Sequence, residues 1–431
     1  MKKNNFYFDP LIIFLFISTT LFFSCNNTKK CFIESPDKYI HGYVAPGFEE
    51  VKKVFTENFI SRGEKGAAIT VYYKDTIVVN LFGGFRNKKH ELWNENTLVL
   101  FFSASKGITA MTSAVAISNS LFTYNDKIVK YWPSFACNGK ENITVSQMLS
   151  HQAGIPLFSK RPNISQFTDT AFILKTLEKQ KPIWQPGTQQ GYHLYPSGLY
   201  MNELIKRSDP KHRELRQYFY DEIGKPLLVE FYFGLPDSVD FNRLAQIKNT
   251  ISFKGLFKFF QLPAPLRKKL FNPFSPINKM FRQLIGINPN NRNWLRTNVP
   301  SINGIGKVKD VAKLYWVFSK GAPELHLKQE VFNEIISPPY IMPDNNKDYV
   351  LGEPMYYRCG FRKPSDYFPF GSSEKAFGMT GAGGSFAFAD PDLHLGYCYA
   401  MTNMNCFAQD DPREKALREA VYDCIARIRK Q

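Results

Sequence analysis

Two β-hairpin signals stand at opposite ends of this chain, and any fold it adopts must find partners for both. Ala67 to Tyr73 and Thr76 to Phe82 are rich in β-branched, aromatic and aliphatic residues, are split by Lys74-Asp75, and end on Gly83-Gly84. Far downstream, Gly384 to Asp390 and Leu395 to Met401 repeat the pattern around Pro391-Asp392. Behind the second hairpin, Asp411-Pro412-Arg413-Glu414 combines an N-cap, a proline at the first helical position and a capping glutamate. Ala416, Leu417, Ala420, Val421, Cys424 and Ile425 then recur at helical spacing. A lone hairpin is marginal in water, so the simplest assembly pairs the two in one antiparallel sheet covered by the terminal helix. The fold class expected is α+β, with a mainly helical lobe inserted between the two halves of the sheet. The α/β lobe would comprise about 41–105 plus 350–430, and the inserted lobe about 106–349.

The leader is a separate matter. Lys2 and Lys3 precede an apolar run from Leu11 to Phe23, broken by Ser18, Thr19 and Thr20, and Ser24-Cys25 follows. Charge, short apolar stretch and small residue in that order are an export signal over 1–24. A cysteine straight after the small residue looks like a bacterial lipobox, which makes Cys25 a diacylated lipid anchor and 25–40 its tether. Phe22, where leucine is preferred, and Asp9 in the leader depart from that pattern, so a plainly secreted chain and a retained membrane anchor stay open. Six further cysteines, at 31, 137, 359, 398, 406 and 424, form no CxxC pair and suit disulfides or buried thiols equally.

With 55 basic and 38 acidic residues the formal charge is +17, and its distribution is uneven. Between Asp240 and Asp310 there is no acid but thirteen Lys and Arg, interleaved with phenylalanines. For this basic segment, 241–298, the expectation is a surface excursion whose Phe rings pack on the body while its charges are solvated. The alternative is contact with anionic lipid headgroups. Prolines 263, 265, 273 and 276 predict that the segment is irregular rather than one helix. Nucleic acid is a poor partner for an exported chain.

Gly-x-Ser-x-Gly, the nucleophile elbow of α/β-hydrolases, is absent. Instead Ser103-Ala104-Ser105-Lys106 opens a run, Ile108 to Ile117, with helical character. A serine at a helix start sits at the positive end of the dipole, and a lysine three residues on shares its face. A buried lysine loses its proton more readily than a free one, so it can act as general base for the serine. Alone, Ser-x-x-Lys is common by chance and reads as a capping serine followed by a solvated lysine.

Further blocks change the odds: Gly42 to Phe48, Tyr131-Trp132-Pro133, Ile143 to Gly154, Pro186-Gly187-Thr188, Gly191-Tyr192-His193, Val299 to Gly304 and Met379 to Ser385. In this order they resemble the serine β-lactamase and penicillin-binding-protein superfamily, most closely its esterase-like branch related to class C β-lactamases and family VIII carboxylesterases. The resemblance implies a β-lactamase-like fold and a catalytic set of Ser103, Lys106 and Tyr192, with Tyr192 matching the tyrosine of the family's Tyr-x-Asn motif. The asparagine position is Leu194, so an amide that helps fix the lysine is missing. The Lys-Thr-Gly strand appears as Met379-Thr380-Gly381, without the usual cation. Backbone N–H groups of Ser103 and Ala382 would form the oxyanion hole, with Met379, Thr380, Gly381 and His193 lining the substrate site. A structural role suits His193 better than proton transfer, and His151 is read as structural near a helix end. No metal pattern and no cofactor motif is present. The expected partner is a small ester or acyl substrate, hydrolysed through an acyl-enzyme. The alternatives are a D-alanyl-D-alanine peptidase or β-lactamase, and a catalytically impaired envelope binding protein.

Overall fold

The computed structural model describes residues 36–248, 264–284, 286–405, 407 and 409–430. The leader, the Cys25 anchor, most of the tether, Cys31 and Cys406 lie outside these residues. The strands are β1 (Ile40–Val44), β2 (Gly66–Tyr73), β3 (Thr76–Gly84), β4 (Val99–Leu100), β5 (Phe231–Phe233), β6 (Gly304–Gly306), β7 (Tyr357–Arg358), β8 (Phe361–Arg362), β9 (Phe377–Thr380), β10 (Phe386–Asp390) and β11 (Leu395–Met401). The helices that matter below are α1 (Glu49–Ile60), α2 (Ser105–Ser118), α3 (Val145–Leu149), α4 (Pro196–Ser208), α5 (Ala264–Phe271), α6 (Pro276–Leu284), α7 (Val308–Ser319) and α8 (Pro412–Ile428).

The two hairpins meet as expected. Eight strands form one antiparallel sheet in the order β1-β3-β2-β11-β10-β9-β8-β7. At its centre β2 pairs with β11, with Tyr73 opposite Leu395 and Ala67 opposite Met401. Every residue of β2 is buried. Both faces of a sheet must be covered for that, and they are. Val71, Tyr397 and Tyr399 pack with Val51 and Phe55 of α1 and Leu417 and Val421 of α8. On the other face, Ala68 and Tyr72 join Ala312 and Tyr315 of α7 in a larger core that runs on through α2 and α4. Gly396 lets α7 lie directly on β11, because a Cβ there would come within 2.3 Å of the Trp316 backbone nitrogen.

Several expectations need correction. β10 starts at Phe386 rather than Gly384, because Gly383 (φ 91°) and Gly384 (φ 111°) are spent on a turn that only glycine adopts readily. The inserted region is not purely helix and loop: β4, β6 and β5 form a second antiparallel sheet. Strands of two or three residues are too short to print an alternation. At α8, Asp411 caps as expected, its Oδ1 accepting the Arg413 N–H at 3.0 Å. Glu414, however, is buried against Arg418, whose Nε donates to Oε1 at 3.0 Å, in place of closing a capping box. In the basic segment, 249–263 and 285 lie outside the described residues, and the described remainder holds a 3-10 turn (Phe241–Arg243) and three short helices, α5, α6 and Arg292–Arg296, joined by turns and loops. Pro276 stands at the first position of α6, where the missing N–H costs nothing. Cys137, Cys359, Cys398 and Cys424 are free thiols, the last three buried.

Candidate active site

Phe101 and Phe102 are buried, and Phe102 takes a left-handed φ of 48°. That turn costs a bulky residue on the order of 1 kcal/mol or more, and it lifts half-buried Ser103 out of the core on a single 3-10 turn leading straight into α2. The serine is therefore one turn ahead of the helix proper, and Lys106 lies in the helix's first turn. Along its whole length α2 is buried. Gly107 allows this, since a Cβ there would meet the Tyr315 hydroxyl at 2.0 Å.

The structure brings Ser103, Lys106 and Tyr192 together. Lys106 Nζ donates to the Tyr192 phenol oxygen at 2.8 Å, and the Ser103 side chain is near enough to the phenol to lower its pKa. Lys106 is 5% exposed, and this burial drives its pKa well below the ordinary lysine value. Burial also raises the Tyr192 phenol, with the Ser103 hydrogen bond opposing it and Asp348 adding to it. Burial thus disfavours the charged form of the amine and of the phenol alike.

What fixes the lysine is not a side-chain amide. Nζ donates to the backbone carbonyls of Leu194 at 3.0 Å and Ser301 at 2.8 Å. Nζ donates to the Tyr192 phenol oxygen as well, so three fixed acceptors hold the amine in place. The leucine at the asparagine position thus serves through its backbone, which corrects the expectation of a poorly held lysine. Ser301 is a residue whose role went unread in its sequence block. Its own hydroxyl donates to the Tyr195 carbonyl at 2.9 Å, and Gly304 N–H donates to Ser105 Oγ at 2.8 Å, which ties the 299–304 segment to both α2 and the Tyr192 segment.

At the end of β9, Gly381 abuts the nucleophile turn. A Cβ there would stand 2.3 Å from the Phe101 carbonyl oxygen and 3.2 Å from the Ala104 nitrogen, so only glycine fits. Ser385 Oγ donates to the same Phe101 carbonyl at 3.4 Å, while Ala382, the next residue, is exposed. Thr380 is half-buried and accessible. Met379 is not: at 1% exposure it packs on Met355 and Tyr357, filling the place of a cation with an apolar contact.

A cation does stand near this strand. Arg362 of β8 is opposite Gly378 in the register, is 3% exposed, and its Nη1 donates to Thr380 Oγ1 at 3.4 Å. It also lowers the Tyr192 pKa, and its Nε has no hydrogen-bond partner. Nothing near it in sequence announced it. Asp348 went unread too. Its Oδ1 accepts the N–H groups of Tyr192 (3.0 Å), Val350 (2.9 Å) and Leu351 (2.9 Å), which sets the height of the phenol. Burial raises its pKa to about 6.

His193 departs from the expected list of substrate contacts. It is fully buried, with Nδ1 2.6 Å from the Gly191 carbonyl and Nε2 accepting the Ile155 N–H at 3.3 Å, so neither ring nitrogen is left for a ligand. Its backbone N–H donates to Nδ1 of His151, which is buried with φ 64° just beyond α3. Burial lowers the pKa of both rings, His193 to about 3, so they are neutral struts.

Comparison with known proteins places the fold. The profile of the family described as Beta-lactamase matches residues 39–422. A curated relative, "Esterase/beta-lactamase LipL" of Mycobacterium tuberculosis, is 24% identical over 377 residues, 84% of this chain and 83% of its own. Among solved structures, a family VIII carboxylesterase superposes with a TM-score of 0.78 at 31% identity, over 89% of this chain and 99% of that one. A penicillin-binding-protein homologue from Caulobacter crescentus gives 0.76 at 26% identity, again over 89% and 99%. With a matched span running from the first strand into the last helix, the chain belongs to the β-lactamase family.

Proposed function

We propose that the chain is a serine hydrolase of the carboxylesterase type, acting through an acyl-enzyme on Ser103. The observation that carries this reading is the hydrogen bond between Tyr192 and Lys106, a lysine whose burial drives its pKa well down, with the Ser103 side chain close enough to the phenol to lower its pKa. As Ser103 Oγ bonds to the substrate carbonyl carbon, its proton passes to the Tyr192 oxygen while the phenol gives its own to Lys106. The developing oxyanion is held by the N–H groups of Ser103 and Ala382. The proton then returns along the same path to the leaving alkoxide, the C–O bond breaks, and water repeats the cycle on the ester of Ser103. Two oxyanion donors are worth several kcal/mol in the acylation step.

Esters are the better substrate class, because the cation position of the third motif holds buried, neutral Met379 and the amide position holds Leu194. One observation favours the second reading, a peptidase or β-lactamase acting on carboxylate-bearing substrates: Arg362 at Thr380. Turnover of p-nitrophenyl esters and of a chromogenic cephalosporin decides between them. The expected result is faster ester turnover, together with labelling by a fluorophosphonate. Faster cephalosporin turnover would overturn the esterase reading, and the absence of labelling the hydrolase reading.

The chain is proposed, further, to be an exported lipoprotein, on the strength of Lys2-Lys3, the Leu11 to Phe23 run and Ser24-Cys25. Mass spectrometry of the cell-derived protein should find an acylated N-terminus at Cys25, and an unprocessed Met1 would refute this.

A further inference from the structure

The basic segment has a floor and an outer face, and the two differ in chemistry. On the floor, Ile277, Met280 and Gln283 of α6 are buried. Gln283 Nε2 donates to the Phe158 carbonyl at 2.6 Å, and the Tyr195 hydroxyl donates to the Gln283 carbonyl at 2.9 Å. Tyr195 is the residue after Leu194, whose carbonyl holds the lysine. From α5, Lys269 Nζ donates to the Gly352 carbonyl at 3.3 Å, at the end of the loop that Asp348 ties to Tyr192. The α5–α6 hairpin is thus fastened to two supports of the active site.

Its outer face carries Lys268, Lys269, Lys279 and Arg282, all exposed, with no acid anywhere between Asp240 and Asp310. Phe274, at the tip between the helices, is 81% exposed, and Phe271 is 64% exposed. Phe274 thus does not pack on the body, while Phe253, Phe257, Phe259 and Phe260 lie outside the described residues. A large ring exposed at the tip between two basic helices, in a stretch of sequence without acids, suits one environment: an anionic bilayer surface, where cations meet headgroups and rings enter the acyl boundary.

We propose that the α5–α6 hairpin docks on anionic lipid, inserting Phe274 and Phe271, and so presents the active site to esters dissolved in the membrane. The substrate half of this proposal rests on the hydrolase reading, whereas the docking half does not.

The test uses the full chain carrying Cys25→Ser, so that acylation does not mask the difference, and adds Lys268→Glu and Lys279→Glu. Binding is measured by sedimentation with vesicles of phosphatidylcholine alone and of equal parts phosphatidylcholine and phosphatidylglycerol. Each basic residue near such a surface is worth ~1 kcal/mol, about fivefold, so the double reversal should weaken binding to the anionic vesicles by at least about twentyfold. Binding to the neutral vesicles should hardly change, and the difference should shrink in high salt. In a second arm, Phe274→Trp should add fluorescence that brominated lipid quenches. Equal binding of parent and reversal, or a tryptophan that escapes quenching, would overturn the proposal. So would salt-sensitive binding to polyglutamate with none to the vesicles, which would assign the face to an acidic protein. Hydrolysis of a soluble p-nitrophenyl ester, run alongside, reports separately on the hydrolase reading and should be the same in parent and reversal. Hydrolysis of an ester embedded in the anionic vesicles should fall with binding.

Discussion

Ser103→Ala and Lys106→Met are each expected to lower kcat for a p-nitrophenyl ester on the order of 10⁴-fold to 10⁶-fold, and the double variant is expected to be no slower than the worse single one. The reason is the geometry of a relay. The hydroxyl is a poor nucleophile without a base, and the base has nothing to do without the hydroxyl, so removing either removes the whole step. Methionine at 106 keeps the apolar volume in a site where the lysine is 5% exposed, so the fold should survive the change. What remains is rate from the oxyanion donors and from binding. Because burial lowers the lysine's pKa, the active neutral form should already dominate well below the ordinary lysine value. The sign is fixed: the protonated amine is the inactive form, so kcat should rise with pH through the lowered pKa and then level off. Steady-state kinetics of the three variants, with a pH profile of the parent, check all of this. Additive losses in the double variant would show that the serine and the lysine do not act as one unit, and a rise in kcat that begins only near pH 10.5 would place a charged lysine in the resting site.

The outline of the fold was legible because the sheet's central seam is built from long, continuous signals. β2, β3 and β11 are seven to nine residues each, bounded by turns, and their pairing across the chain follows from the need to close two hairpins. β4 to β8 were not legible. They are two or three residues long, and β4, β5 and β6 owe their existence to partners distant in sequence, as Phe101 N–H donating to the Gly304 carbonyl at 2.9 Å shows. Glycine at 383 and 384 shortened a strand for the same kind of reason: the absent side chain at 384 faces Asp411 and that at 383 faces Met401 and Met404, which sequence pattern does not reveal.

In the site, the side chains that motifs could name are the ones that meet, Ser103, Lys106 and Tyr192. The supports were hidden because they work through the backbone or from remote strands. Leu194 and Ser301 hold the lysine by their carbonyls, and a carbonyl belongs to every residue, so its use leaves no mark in the letters. Arg362 reaches Thr380 only because β8 lies beside β9. His193 shows the opposite failure, since adjacency to Tyr192 suggested a contact and the local turn directed the ring inward.

Arg413→Met should be the most damaging single change outside the relay. The guanidinium is 2% exposed, is paired to Asp411 through Nε at 2.9 Å and Nη2 at 2.8 Å, and has Glu64 Oε2 3.4 Å away. Its remaining hydrogens go to the carbonyls of Asn403 at 2.7 Å and Gly383 at 2.9 Å. Burial pushes the Glu64 pKa up, and the arginine's charge opposes that rise. Removing the cation leaves two carboxylates in a dry core, a loss of about 3–5 kcal/mol, far beyond the packing that methionine restores. The loss should be greatest at neutral pH and should shrink in acid, because protonating Glu64, whose pKa burial raises, removes part of the uncompensated charge. Denaturant midpoints of parent and variant across pH test this, and a constant gap would show that the arginine's charge is not what the core requires. The change also reaches the chemistry. Gly383 is the residue after Ala382, so freeing its carbonyl loosens the turn that aims the Ala382 N–H at the oxyanion. The folded fraction of the variant should therefore lose kcat with KM little changed, and Arg413→Lys, which keeps one donor and the charge, should recover part of both stability and rate. A variant that lost stability but kept full kcat would confine Arg413 to the scaffold.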